Sequence, residues 1–159
     1  MNVKDNIVVI ILLAIFAGAL LIFAPESELS KEMPIGTQIH AHALLNITIC
    51  GVHKDLPKHS EKEHYLGLPL LHTHDDNIMH IEGVVVKKED VNLGAFFDAI
   101  KVKFDSGKIM NVKNGDKCGT MPAKLKMFVN GRPSEQFREY IPFFTNNPNK
   151  QVINLIFDS

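Results

Sequence analysis

The stretch Ile7 to Ala24, IVVIILLAIFAGALLIFA, contains no charged or polar side chain, and it restricts this chain more than any other feature. As a helix these residues extend roughly 27 Å at 1.5 Å per residue, close to the thickness of a bilayer's hydrocarbon layer. A helix packed on a soluble core would show a polar stripe, and this one has none. A signal-peptide core is usually shorter, and PESELSKE after Ala24 offers no small-x-small cleavage site. Residues 1–25 are therefore expected to be a retained transmembrane anchor. Lys4 precedes the run, while Glu26, Glu28 and Glu32 follow it with only Lys31 to offset them. The sense of the positive-inside rule is an N-terminus in the cytoplasm and the remainder outside, at the cell membrane. The sequon Asn46-Ile47-Thr48 is compatible with that side. Pro25 ends the helix, residues 26–38 read as a linker, and residues 39–159 as one extracytoplasmic domain. The lipid bilayer is then the first partner.

The outer part has the size of one domain, roughly 130 residues. A formal net charge of -1 gives no basic face of the kind nucleic acid requires, so nucleic acid is not an expected partner. Cys50 and Cys118 are the only cysteines and lack CxxC spacing. Outside the cytoplasm they can close one long loop as a disulfide or stand as two buried thiols.

Residues Ile39 to Cys50 alternate as a strand, with Ala41, Ala43, Leu45, Ile47 and Ile49 on one face and His40, His42, Leu44, Asn46 and Thr48 on the other. Residues 53–65 are polar and read as a loop with at most a short edge strand, and Gly67 and Pro69 interrupt the apolar stretch 66–71. Met79 to Lys87 is a second strand. Asp90 or Asn92 caps a short amphipathic helix carrying Leu93, Phe96, Phe97 and Ile100. A strand at Val102–Phe104 would end in the turn Asp105-Ser106-Gly107. Lys124 to Asn130 alternates again, Asn130-Gly131 signals a hairpin turn, and Val152 to Phe157 is a last strand. The order predicts an α+β fold, a small mixed β-sheet domain with one short helix, as a β-grasp-like roll. A small β-sandwich is the alternative.

All eight histidines lie between His40 and His80. His40-Ala41-His42 on a strand directs both imidazoles to one face, about 7 Å apart at the backbone. His72-Thr73-His74-Asp75-Asp76 and His80-Ile81-Glu82 follow. Such pairs on neighbouring strands can converge on one cation, with carboxylates as ligands or as acceptors that fix the ring tautomer. The expected metal set is His40, His42, His72, His74, His80 and Glu82, with Asp75 in the second shell or shaping the turn. His53, His59 and His64 sit in a lysine- and glutamate-rich loop and read as surface residues. The alternative for the cluster is a hydrogen-bonded or pH-sensitive network.

The segments HAHALLNITICG, LLHTHDDNIMHIEG, VNLGAFFDAI and MFVNGRP, in that order, resemble a group of membrane-anchored or secreted proteins of archaea and bacteria. Those proteins share an H-x-H strand, an LHTHD-x-x-x-x-HIE core, an LG-x-FFD helix and a late VNG turn. The resemblance spans Ile39 to Arg132 and implies a shared architecture and histidine cluster, without implying a reaction. The lysine- and histidine-rich loop before Leu66 and the tail after Arg132 depart from it.

Three functions follow as expectations. The first is an extracytoplasmic metal-binding protein holding a copper or zinc ion, with copper weakly ahead because Met79 accompanies the imidazoles. The second is an accessory subunit of an integral membrane protein complex, for which Ala17, Gly18 and Ala19 offer a small-residue packing face. The third is a metal-assisted hydrolase with Asp75, Asp76 or Glu82 as general base. No nucleophile motif or phosphate-binding glycine loop supports that last reading, and no catalytic residue is assigned. A type 1 copper centre needs a histidine late in the chain, and none follows His80. A metallo-β-lactamase-like HxHxDH string fails at Asn77.

Overall fold

The computed structural model describes residue 36, residues 38–142 and residues 150–159. The expected anchor and most of the expected linker lie outside the described residues. Among the described residues, no helix is long and apolar enough to cross a membrane.

The chain forms a small α+β domain built on a mixed sheet. Strand β1 (Gln38–Ile49) alternates as its sequence predicts, with Ala41, Ala43, Leu45 and Ile47 buried and the intervening residues partly or fully exposed. Next come β2 (Val52–Lys54), β3 (Leu66–Gly67), β4 (Leu71–Thr73) and β5 (Ile78–Val84). Strands β11 (Lys124–Val129), β12 (Arg132–Ser134) and β13 (Val152–Asp158) complete the sheet. Its order is β12-β11-β13-β1-β5-β4-β3, with β2 paired to the far end of β1. β1 runs parallel to β13 and antiparallel to β5, which makes the sheet mixed. Asn130 and Gly131 both take positive φ, 49° and 79°, and join β11 to β12 as a two-residue hairpin turn.

One face of this sheet is the core. Met79 and Ile81 on β5, Leu71 on β4, and Ile153, Leu155 and Phe157 on β13 lie there with the apolar residues of β1. Helix α1 (Leu93–Ala99) adds Leu93, Phe96 and Phe97, all fully buried, and packs against β3 and β4. Of the two expected caps the structure uses Asn92, whose Oδ1 accepts the Ala95 N–H at 2.7 Å. Arg138 lies across this helix and pairs with Asp98 through both carboxylate oxygens.

Between α1 and β11 the chain makes small ladders in place of one strand. β6 (Phe104–Asp105), β7 (Lys108–Ile109) and β8 (Val112–Lys113) form a three-stranded sheet, and β9 (Lys117–Cys118) pairs with β10 (Met121–Pro122). The expected strand at Val102–Phe104 is thus reduced to the start of β6. Cys118 is bonded to Cys50, with Cα atoms 5.2 Å apart across 68 residues of sequence. This crosslink ties the end of β1 to the β9–β10 hairpin, so the disulfide is realised rather than two buried thiols.

The opposite face of the sheet is mixed, with half-buried Leu44, Ile78, Phe128, Val152 and Ile156 among polar residues. Asn46, the sequon residue, lies on it mid-strand and donates to Asn154 Oδ1 at 3.1 Å. The histidines occupy the β1–β5–β4 part of the same face.

Closing so long a loop restricts the unfolded chain, so the paired substitution Cys50→Ser/Cys118→Ser is expected to cost roughly 2–4 kcal/mol. Chemical denaturation of the oxidised wild type and the variant measures this; equal midpoints would contradict it.

Candidate metal centre

The register of three strands assembles the site. His42 on β1 stands directly opposite His80 on β5, and His80 stands opposite His72 on β4. His40 is opposite Glu82 in the next row. Because side chains alternate along each strand, all five project from the face opposite the core. The ring centroids follow the ladder, 4.6 Å from His42 to His80 and 5.4 Å from His80 to His72, the latter pair stacked nearly parallel.

His74 joins from the connection between β4 and β5. Asp75 and Asn77 there both have left-handed φ, 66° and 56°, which short polar residues tolerate. Asp76 lies between them and organises the turn. Its Oδ1 accepts from Thr73 Oγ1 at 3.2 Å and from the Ile78 N–H at 3.1 Å, while its Oδ2 accepts from His80 Nε2 at 2.9 Å. Asn77 accepts the Leu56 N–H at 2.7 Å and so ties the preceding loop to the turn. Gly67 on β3 is needed for the fit behind His72. It has φ 128°, and a Cβ there would lie 2.5 Å from the Leu71 carbonyl oxygen and 3.0 Å from His72 Cα.

Hydrogen bonds at the rim of the cluster set the tautomers. His80 Nε2 donates to Asp76, which leaves Nδ1 of the neutral ring with a lone pair, 3.4 Å from Glu82 Oε1. His74 Nδ1 donates to the His64 carbonyl at 2.9 Å, which leaves Nε2 with a lone pair 3.1 Å from His72 Nε2. His72 Nε2 is also 3.9 Å from Glu82 Oε2. His72 Nδ1 is buried and approaches the Leu68 backbone without reaching hydrogen-bond geometry. Tyr65 packs against His72 with ring centroids 4.5 Å apart and planes tilted by 35°, and helps hold this ring, which is only 3% exposed.

One donor atom from each of His72, His74, His80 and Glu82 lies within 4.8 Å of the others. In a tetrahedral site with metal–nitrogen bonds of about 2.0–2.1 Å, donor atoms stand roughly 3.3 Å apart. The four need to draw together by an ångström or so, within the reach of side-chain rotation. His40, His42 and Glu82 form a second such group, with His40 Nε2 at 3.0 Å and His42 Nε2 at 4.0 Å from Glu82 Oε1.

Of the expected ligands, Asp75 stands apart from both groups. It pairs with His59, accepting the backbone N–H at 3.0 Å and lying 3.0 Å from the ring Nδ1. His53 is exposed beside Asp55, and His64 contributes its carbonyl to the site. Met79 corrects the argument for copper: it is fully buried on the core face and points away from the imidazoles. Sequence reasoning passed over three supporting groups. These are Asp76 as the acceptor behind His80, the His64 carbonyl behind His74, and Tyr65 over His72.

Burial pushes the His72 imidazolium down, more than the nearby Glu82 carboxylate lifts it, and neighbouring His74 and His80 add to the fall. Burial would raise the Asp76 carboxyl, but hydrogen bonds from His80 and the Ile78 N–H outweigh it and hold the group below the usual carboxylate range. Glu82 is likewise lowered, its burial outweighed by His72 and His40. Matching the chain against protein-family models, curated proteins and solved structures gave no match.

A lowered histidine pKa means that the unfolded chain takes the proton first. The stability tied to neutral His72 is complete above about pH 6.5 and is lost as pH falls through its folded value. Thermal denaturation of metal-free wild type and His72→Leu, taken from about pH 7 to about pH 5, should show the wild type losing stability relative to the variant. Parallel curves would contradict the burial argument. The Asp76 and Glu82 contributions fail only further into acid, as pH falls through their own lowered values.

Proposed function

We propose that this chain is a membrane-anchored extracytoplasmic protein whose β-grasp-like domain holds a divalent transition-metal ion, zinc or copper(II), on His72, His74, His80 and Glu82. The observation that carries the proposal is the convergence of three imidazoles and one carboxylate, whose donor atoms lie within 4.8 Å of one another. Two rings have their outer nitrogens taken by Asp76 and the His64 carbonyl, and their inner nitrogens face another imidazole nitrogen or a carboxylate oxygen at 3.1–3.4 Å. At such distances a proton or a cation lies between the paired atoms, and one metal ion can take all four donors at once, which no single proton can. A carboxylate behind a ligating imidazole is also the usual support for a metal-bound histidine, fixing its tautomer and raising its basicity.

Three imidazole nitrogens and one carboxylate oxygen suit zinc and copper(II). Met79, on the other face, does not add the sulfur donor that would favour copper(I). Binding is favoured over hydrolysis by what the acids already do. Asp75 is paired with His59, Asp76 with His80, and Glu82 with the cluster itself, so each proposed general base is engaged. The apolar run Ile7 to Ala24 supports a role at the membrane surface.

The test is equilibrium dialysis of the chelator-stripped full-length chain, in detergent, against zinc, followed by elemental analysis. Wild type should retain tightly bound zinc at stoichiometric level, and His72→Ala or His74→Ala should lose it. Asp76→Asn should weaken binding by about 10–100-fold while leaving every ligand in place. Wild type without stoichiometric metal, or full retention in both histidine variants, would end the proposal.

A further inference from the structure

We infer that the same sheet face carries a second cation position, formed by His40, His42 and Glu82, so that the Glu82 carboxylate bridges two metal ions. This rests on the inner site proposed above and extends it.

The Glu82 carboxylate stands between two sets of imidazoles, and its Oε1 also lies 3.4 Å from the inner His80 Nδ1. Oε2 faces His72 Nε2 at 3.9 Å, whereas Oε1 faces His40 Nε2 at 3.0 Å and His42 Nε2 at 4.0 Å. The last distance is too long for a hydrogen bond. It matches two donors on opposite sides of one ion, since metal–nitrogen and metal–oxygen bonds of about 2.0–2.2 Å sum to roughly 4 Å. The chosen donor atoms of His40, His42 and Glu82 all fall within 4.8 Å of one another. The register explains why they meet: the His-x-His doublet of β1 occupies two consecutive rows of the face, one opposite Glu82 and the other opposite His80.

The two positions differ in kind. The inner one has four protein donors, and its His72 is almost wholly buried. The outer one has three donors, and its His40 side chain is 61% exposed, so water completes its shell. Fewer ligands and open access make the outer ion the weaker and more exchangeable of the two. Two neighbouring dications repel, and a shared carboxylate is the group that makes such a pair tolerable, as in other two-metal sites. The outer ligand class is a labile divalent first-row transition ion, which imidazole donors favour over calcium or magnesium.

The full-length chain in detergent, stripped with chelator and titrated with copper(II), tests this. Bound copper is followed by elemental analysis and by electron paramagnetic resonance. Wild type should take up two equivalents in sequence, and the second should reduce the integrated signal per copper because carboxylate-bridged ions couple magnetically. His40→Ala, and separately His40→Ala/His42→Ala, should retain the first equivalent unchanged and lose the second together with the coupling. His53→Ala, which removes an exposed loop imidazole paired only with Asp55, should still bind both. A wild type that stops at one equivalent overturns the outer position and leaves the inner site standing, whereas a wild type that binds none overturns both. Loss of the second equivalent in the loop variant, or two equivalents with additive signals, also overturns the bridged pair.

Discussion

The arrangement depends on the register that seats β5 between β1 and β4. His80 is the residue that both flanking strands address, with His42 on one side and His72 on the other. A slip of one residue on any of the three strands would turn its histidines into the core and its core residues outward, because side-chain direction repeats every two residues. The burial of Ala41, Ala43, Met79, Ile81 and Leu71 therefore does two things at once. It supplies the hydrophobic driving force, and it forces the imidazoles into a single patch on the other side. Every feature of the face opposite the core inherits its position from that apolar alternation.

Local geometry then refines the patch. The β4–β5 connection is short enough to bring His74 and Asp76 back against His80, and its two left-handed residues aim the acids in different directions. Asp76 turns inward to His80, while Asp75 turns outward to His59. Gly67 allows β3 to lie closely beside His72, and Tyr65 in the same stretch covers the ring. The Cys50–Cys118 crosslink lies at the far end of β1 from His40. It secures the strand that carries the His-x-His doublet without touching the site.

How far the sequence foretold this varies with the kind of signal. β1, β5 and β11 were legible from period-two alternation, and β13 from an apolar run rich in β-branched residues and broken only by Asn154. The helix was legible from Asn92 followed by Leu93, Phe96, Phe97 and Ile100 at helical spacing. The convergence of the histidines from separated stretches was legible for the same reason as the strands. The ladders β6 to β10 were not, since two-residue strands carry no period to detect. The roles of the adjacent acids were hidden as well, because which of Asp75 and Asp76 faces the cluster is decided by backbone φ in a tight turn. Met79 misled for a related reason: nearness to His80 in sequence means opposite faces in a strand.

The central claim is that the inner nitrogens of His72, His74 and His80 and the carboxylate of Glu82 share one ion. X-ray absorption spectroscopy of the full-length chain carrying a single tightly bound zinc addresses it most directly. The account predicts four nitrogen or oxygen neighbours at about 2.0–2.1 Å, with the outer-shell scattering of about three imidazole rings. A shell of water oxygens alone, or one containing sulfur, would contradict it.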